Sequence, residues 1–293
     1  MRFLLVDRIL ELSPLQLVRG IKHITRDDHY LCNDEQGTLC FIPSFIGEAI
    51  GQLAAWNVML CNDFRLRPVA GVVSSACLHR PAYIGDTLLI EAVIDDVDDV
   101  AVRYHGVASV GDEVVFSIES ALGPLLPMTE FIAIDEVRRQ FSEINRPGAW
   151  PPVASAGELL QNGNEPLPYL LVFDRIIASD PGVSLCAEKR INRAASYFPD
   201  HFPHKPVLPM TVLLECKLNL AREFLARAQF SQHYQVSELR KIKMNEFIYP
   251  GDLVVTTVQV KRHDADELIL SFRSEVEGKR VCVLDVVMTA KGN

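Results

Sequence analysis

At 293 residues the chain is about twice the length of an ordinary domain, which points to two domains or one fused pair. A hydrophobic share of 48% and a charged share of 23% exclude a disordered or fibrous chain, and a net charge of −9 speaks against broad nucleic-acid binding, whose affinity comes from Lys and Arg neutralising phosphates. No apolar run approaches the roughly 18 residues that span a bilayer. The seven cysteines show neither a CxxC pair nor zinc-ligand spacing, so reduced thiols buried as small apolar groups, a cytoplasmic setting and no metal or cofactor are expected.

In chain order, the opening MRFLLVDRILEL is broken by Asp7, Arg8 and Glu11 after four apolar residues, and it reads as structure rather than a targeting segment. A helix is predicted from Ser44 to about Met59, opening on a hydroxyl residue suited to capping. Strands rich in Val, Ile and Thr follow over Thr87–Ile94, Ala101–Ser109 and Val114–Leu122. Ile134 to Ile144 reads as a short amphipathic helix, after which Pro and Gly punctuate a linker. A second long helix is predicted from Thr211 to about Ala228, again opening on a hydroxyl. Strands over Asp252–Lys261, Glu267–Val276 and Arg280–Thr289 complete the pattern. One long helix per half against several antiparallel strands is an α+β arrangement.

The two halves repeat one another. Asp7 in LLVDRI answers Asp174 in LLVFDRI at a spacing of 167, and Glu48 answers Glu215 at the same spacing. Tyr83-Ile84-Gly85-Asp86 answers Tyr249-Pro250-Gly251-Asp252 at 166. Three landmarks in one order at nearly one spacing mark a tandem duplication. The predicted division is residues 1–128, a linker over 129–165, and residues 166–293. Charge divides unevenly, −8, −3 and +2 in that order, so an acidic partner is expected on the last part.

The most specific stretch is His201-Phe202-Pro203-His204-Lys205-Pro206-Val207-Leu208-Pro209, followed fourteen residues after His201 by Glu215 on a helix. This resembles the 3-hydroxyacyl-ACP dehydratases of fatty-acid biosynthesis, and the likeness extends to LLVDRI, to the Gly-Asp before a long strand, and to Glu48-Ala49-x-x-Gln52. The resemblance implies two tandem hotdog domains, each a long central helix wrapped by an antiparallel sheet, packed as an intramolecular pseudo-dimer. It also implies loss of water from a 3-hydroxyacyl thioester to give a trans-2-enoyl thioester, carried by acyl carrier protein or CoA. Imidazole suits the base that takes the C2 proton, because its pKa lies near working pH. A carboxyl group suits the acid, and backbone N–H groups at the helix starts can polarise the thioester carbonyl.

The halves are not equivalent. Fourteen residues before Glu48 stands Asp34, with no His-Phe-Pro around it, while the second helix reads Glu215-Cys216-Lys217-Leu218-Asn219 in place of Glu-Ala-x-x-Gln. In the family's dimers the His of one subunit faces the acidic residue of the other. That implies one composite site, with His201 as base and Glu48 as acid or water-positioning group. Gln52, Pro206, Met210, Thr211 and Glu215 are candidate supporting residues. Met210 replaces a Gly of the family at the helix start, where it would crowd the thioester or narrow the acyl tunnel. Lys189, Arg190, Arg193, Arg240, Lys241 and Lys243 offer an acidic carrier a docking face. The eroded first half leaves open a catalytically weak acyl-binding scaffold partner in a lipid or polyketide assembly, and a thioesterase of the same fold is a third reading. Further self-association of the fused pair is left open.

Overall fold

The computed structural model describes residues 3–149, 168–228, 230, 234–264 and 266–290. In chain order these form β1 (Arg8–Ser13), β2 (Leu17–His23), β3 (Leu31–Asn33), β4 (Leu39–Phe41), α1 (Pro43–Cys61), β5 (Leu66–Pro68), β6 (Val72–Leu78), β7 (Thr87–Val97), β8 (Ala101–Val110), β9 (Glu113–Pro127) and α2 (Ile134–Ile144). The second half adds β10 (Arg175–Asp180), β11 (Ser184–Arg190), α3 (Met210–Ala228), β12 (Tyr234–Met244), β13 (Leu253–His263), β14 (Glu267–Val276) and β15 (Lys279–Ala290). The predicted linker is outside the described residues from position 150 onward. None of the described helices is long and apolar enough to cross a membrane.

α1 carries one charged residue, Glu48, in nineteen, and a helix apolar nearly all round has to be enclosed. The sheet encloses it. Strand order is β1-β2-β7-β8-β9-β6 in the first half and, running on, β12-β15-β14-β13-β11-β10 in the second. The second series is the first reversed, so β6 and β12 meet at a pseudo-two-fold axis and join two six-stranded hotdog sheets into one surface, with α1 and α3 as the paired central helices. At the joint Glu238 lies opposite Cys77 and Lys243 opposite Val72, and the Ser75 hydroxyl donates to Glu238 Oε1 at 2.6 Å.

The repeated landmarks are structural pins. Asp7 Oδ2 accepts the His23 N–H, and Asp174 Oδ2 accepts the Arg190 N–H, both at 2.6 Å, each tying the approach to the first strand onto the end of the second. Asp86 and Asp252 each accept the N–H three residues before them, from Tyr83 and Tyr249, at 2.8 Å. Between them Gly85 and Gly251 hold φ of 98° and 99°, a backbone that a side chain would strain. The duplication therefore preserves turn chemistry as well as the helix carboxylates.

Ser44 and Thr211 are not caps: the residue before α1 is Ile42, with no side-chain cap, and Pro43 occupies the first turn, so both hydroxyls are free to bond across the two helices. The cysteines are not uniformly buried, since Cys61 is exposed and only Cys40, Cys216 and Cys282 are fully enclosed. β9 also runs past its predicted end, because Leu125 to Pro127 pair with β5, a strand the sequence reading did not anticipate. Val137 and Phe141, one turn apart on α2, turn inward, and Phe141 packs on Trp56 and Phe64.

Candidate active site

The His-Phe-Pro loop lies between β11 and α3. Its path reverses on itself: the Val207 N–H donates to the His201 carbonyl at 3.1 Å, and His201 Nδ1–H donates to the Val207 carbonyl at 2.9 Å. A carbonyl only accepts, so Nδ1 carries the proton and Nε2 keeps its lone pair. Half-buried Pro206 sits inside that reversal and does not line the cavity. Phe202 stacks on His201 at 4.1 Å between ring centroids, and Phe3 meets the imidazole edge-on at 5.8 Å. Burial pushes the His201 imidazole below its usual range; the nearby Glu48 carboxylate and the Val207 carbonyl oppose that, and burial prevails.

Glu48 stands one turn into α1. Its Oε1 accepts from Gln52 Nε2 at 3.0 Å and its Oε2 accepts from the Thr211 hydroxyl at 2.9 Å, so each half of the chain holds one oxygen. Gln52 is itself locked. Its Oε1 accepts the Leu5 N–H at 2.9 Å and its Nε2 also reaches the Phe3 carbonyl at 3.2 Å, which fixes the amide with its donors toward Glu48. The stripe Ser44, Glu48, Gln52 thus faces protein and cavity rather than bulk solvent.

Glu48 and His201 line one cavity of about 350 Å³. Its walls come from both halves: Gly47, Gly51 and Trp56 of α1, Tyr104 and Phe116 of the first sheet, and Leu239 and Ile242 of β12. Gly47 and Gly51 let the sheet approach, since a Cβ at Gly51 would stand 3.2 Å from the Tyr104 hydroxyl and one at Gly47 3.2 Å from the Phe116 ring. Met210 and Thr211, at the start of α3, are on the same wall, where the first backbone N–H groups have no helical partner.

The pseudo-symmetric counterpart is closed. Glu215 is 1% exposed and does not line the cavity; its Oε2 accepts from the Ser44 hydroxyl at 3.0 Å, mirroring Thr211 on Glu48, and Arg222 approaches its Oε1 at 3.7 Å. Burial raises its pKa, opposed by Arg222 and Ser44. Asn219, at the position matching Gln52, bonds the Leu171 carbonyl and accepts from Arg222 instead of reaching Glu215. Where the first half would need a histidine, the β3–β4 hairpin intervenes. There Asp34 binds its own turn at Gln36 and Thr38 and accepts from the Tyr83 hydroxyl at 3.0 Å.

His204 is exposed, with Nδ1 3.4 Å from the Thr129 carbonyl. Of the basic candidates for carrier docking, Lys189, Arg190 and Arg240 face Asp174, Glu188 and Glu238 within their own half. Sequence reading missed Arg67 and Tyr104, both cavity-lining. Arg67 lies two residues from the exposed Arg65 in an unremarkable turn-and-strand segment, and nothing in the pattern separates the two.

The FabA-like domain model matches residues 165–285. The chain is 31% identical over 118 residues to a 3-hydroxyacyl-acyl-carrier-protein dehydratase FabZ of Thermoanaerobacter sp. (strain X514), covering 40% of this chain and 83% of that one. It is 32% identical over 122 residues to the FabZ of Verminephrobacter eiseniae (strain EF01-2), covering 40% and 81%. Among solved structures, the dehydratase domain of the polyketide protein PpsC from Mycobacterium tuberculosis superposes with a TM-score of 0.59 at 11% identity, over 99% of both chains. The tesB protein of Mycobacterium avium subs paratuberculosis gives 0.60 at 10% identity, over 97% and 96%. At such identities the structures speak for the double hotdog fold alone, whereas sequence identity over four-fifths of two relatives' length goes further: the chain belongs to the FabZ-type 3-hydroxyacyl-acyl-carrier-protein dehydratase family.

Proposed function

We propose that this protein interconverts 3-hydroxyacyl and trans-2-enoyl thioesters, on acyl carrier protein or CoA, at one composite site per chain. The observation that carries the reading is the single cavity in which His201 of the second half and Glu48 of the first face the same space, while Glu215 is sealed away from it. His201 Nε2 is the base. Held neutral by burial and oriented through Nδ1, it takes the C2 proton of the thioester. Glu48 is the second proton-handling group: protonated, it gives its proton to the departing 3-hydroxyl, and as the carboxylate it holds water for the reverse hydration. Gln52 and Thr211 keep its two oxygens in place. Backbone N–H groups at Met210 and Thr211 are placed to polarise the thioester carbonyl.

The test is hydration of a 2-enoyl thioester by the purified protein, followed by loss of the enoyl absorbance. Turnover is expected, with a fall of about 10²–10⁴ for His201→Ala, the contribution general base catalysis usually makes. Full activity in the His201→Ala protein would rule the assignment out.

A further inference from the structure

The dehydration chemistry above leaves one permanent cation in the cavity unused. Arg67, on β5, lies with its guanidinium carbon 4.2 Å from the Phe202 ring centroid. The same ring stacks on His201 at 4.1 Å. Taken together, these two distances hold the guanidinium carbon within about 8.3 Å of the imidazole centre, whichever face each partner occupies. Among the described residues no carboxylate or carbonyl accepts a hydrogen bond from it. Glu48, the acidic group whose field it feels, already has both oxygens taken by Gln52 and Thr211. The guanidinium, a five-donor group, therefore borders a largely apolar cavity beside the proton-transfer pair.

A guanidinium so placed is available to an oxygen acceptor of the substrate. When C2 of a bound thioester sits against His201 Nε2, its carbonyl oxygen is two bonds away. As the C2 proton leaves to Nε2, the C2–H electron pair moves to form the enolate, and negative charge collects on that oxygen. We propose that Arg67 is a further catalytic residue of this site, its guanidinium holding the thioester carbonyl oxygen and stabilising the enolate formed when His201 removes the C2 proton. The role rests on the dehydratase reading above. Burial lowers the Arg67 pKa only to about 10, so the cation persists at neutral pH. The stack on Phe202 also supplies a physical reason for a side chain from β5 to meet the His-Phe-Pro loop of the other half.

The experiment compares wild type with Arg67→Met, which keeps the stem over Phe202, and with Arg67→Lys, which keeps the charge. Two readouts are used: kcat and KM for enoyl-thioester hydration, and exchange of the C2 protons of a saturated acyl thioester in D2O, which reports enolate formation without any hydroxyl to lose. Arg67→Met is expected to lose about 10²–10³ in kcat, the usual loss for one oxyanion donor, with KM within about threefold. It should lose C2 exchange to the same degree, and Arg67→Lys should recover part of both. Glu48→Gln should lose hydration yet keep exchange. Wild-type rates of hydration and exchange in Arg67→Met would overturn the role of Arg67 and leave the dehydratase reading standing. If the wild-type protein neither hydrates nor exchanges any acyl thioester, both fall together.

Discussion

Gln52 is where fold and site are hardest to separate, and replacing it by Met, similar in volume but without polar atoms, tests whether the site is built as described. The substitution removes three hydrogen bonds, to the Leu5 N–H, the Phe3 carbonyl and Glu48 Oε1. Phe3 and Leu5 are almost wholly buried, at 1% and 2% exposure, so their backbone groups lose their partner inside the protein. An orphaned buried polar group costs about 1–3 kcal/mol. The open cavity lets water reach part of this region, which places the expected loss at about 2–3 kcal/mol. At roughly 2–3 °C per kcal/mol for a chain of this size, Tm should fall by about 4–9 °C. With one of its two donors gone, Glu48 is free to swing, and kcat should drop about 10–100-fold. Differential scanning calorimetry and the hydration assay read the two effects. A Tm and a kcat both unchanged would refute the claim that Gln52 ties the N-terminal segment to the carboxylate.

Two further outcomes follow. Because burial lowers the His201 pKa, the neutral base persists below the ordinary histidine value of about 6.5, so the acid limb of kcat/KM should lie below that pH; the unfolded chain binds this proton more readily, so the contribution to stability is flat above about pH 6.5 and becomes unfavourable as pH falls below it. An acid limb at or above that pH contradicts the assignment. Lys217, 0% exposed in α3, has the Cys282 thiol at 2.9 Å and no carboxylate partner among the described residues. Lys217→Met should therefore raise stability by about 1–2 kcal/mol in urea unfolding without changing kcat, and a loss of stability would show that the buried amino group is held by more than the thiol.

The duplication was readable because two of its three landmarks are residues whose roles are local. Asp7 and Asp174 each fix one strand end, and Gly85 and Gly251 each fill a left-handed turn, so each half must keep them whatever happens to its chemistry. The asymmetry was readable for the opposite reason, since a lost histidine in the first half and Asn219 in place of a Gln in the second leave gaps in a known pattern. What depended on the meeting of the halves was not readable. Ser44 and Thr211 have the local signature of caps, but Pro43 and the proximity of the other helix turn their hydroxyls onto Glu215 and Glu48. Arg67 has no motif at all: only the pairing of β5 with β9 and the docking of the Phe202 loop carry it to the cavity. The exposed Cys61 likewise follows from its place at the end of α1, where helix composition gives no warning.

Two pseudo-equivalent glutamates could share the histidine's reaction, and the most direct measurement to tell them apart compares kcat/KM for enoyl-thioester hydration in Glu48→Gln and Glu215→Gln. Glu48 faces the His201 cavity and should be needed; Glu215 is sealed behind Ser44 and should not. The expected result is a loss of about 10²–10⁴ for Glu48→Gln, and for Glu215→Gln a rate within about threefold of wild type. A large loss in Glu215→Gln with Glu48→Gln unaffected would contradict the crossed site.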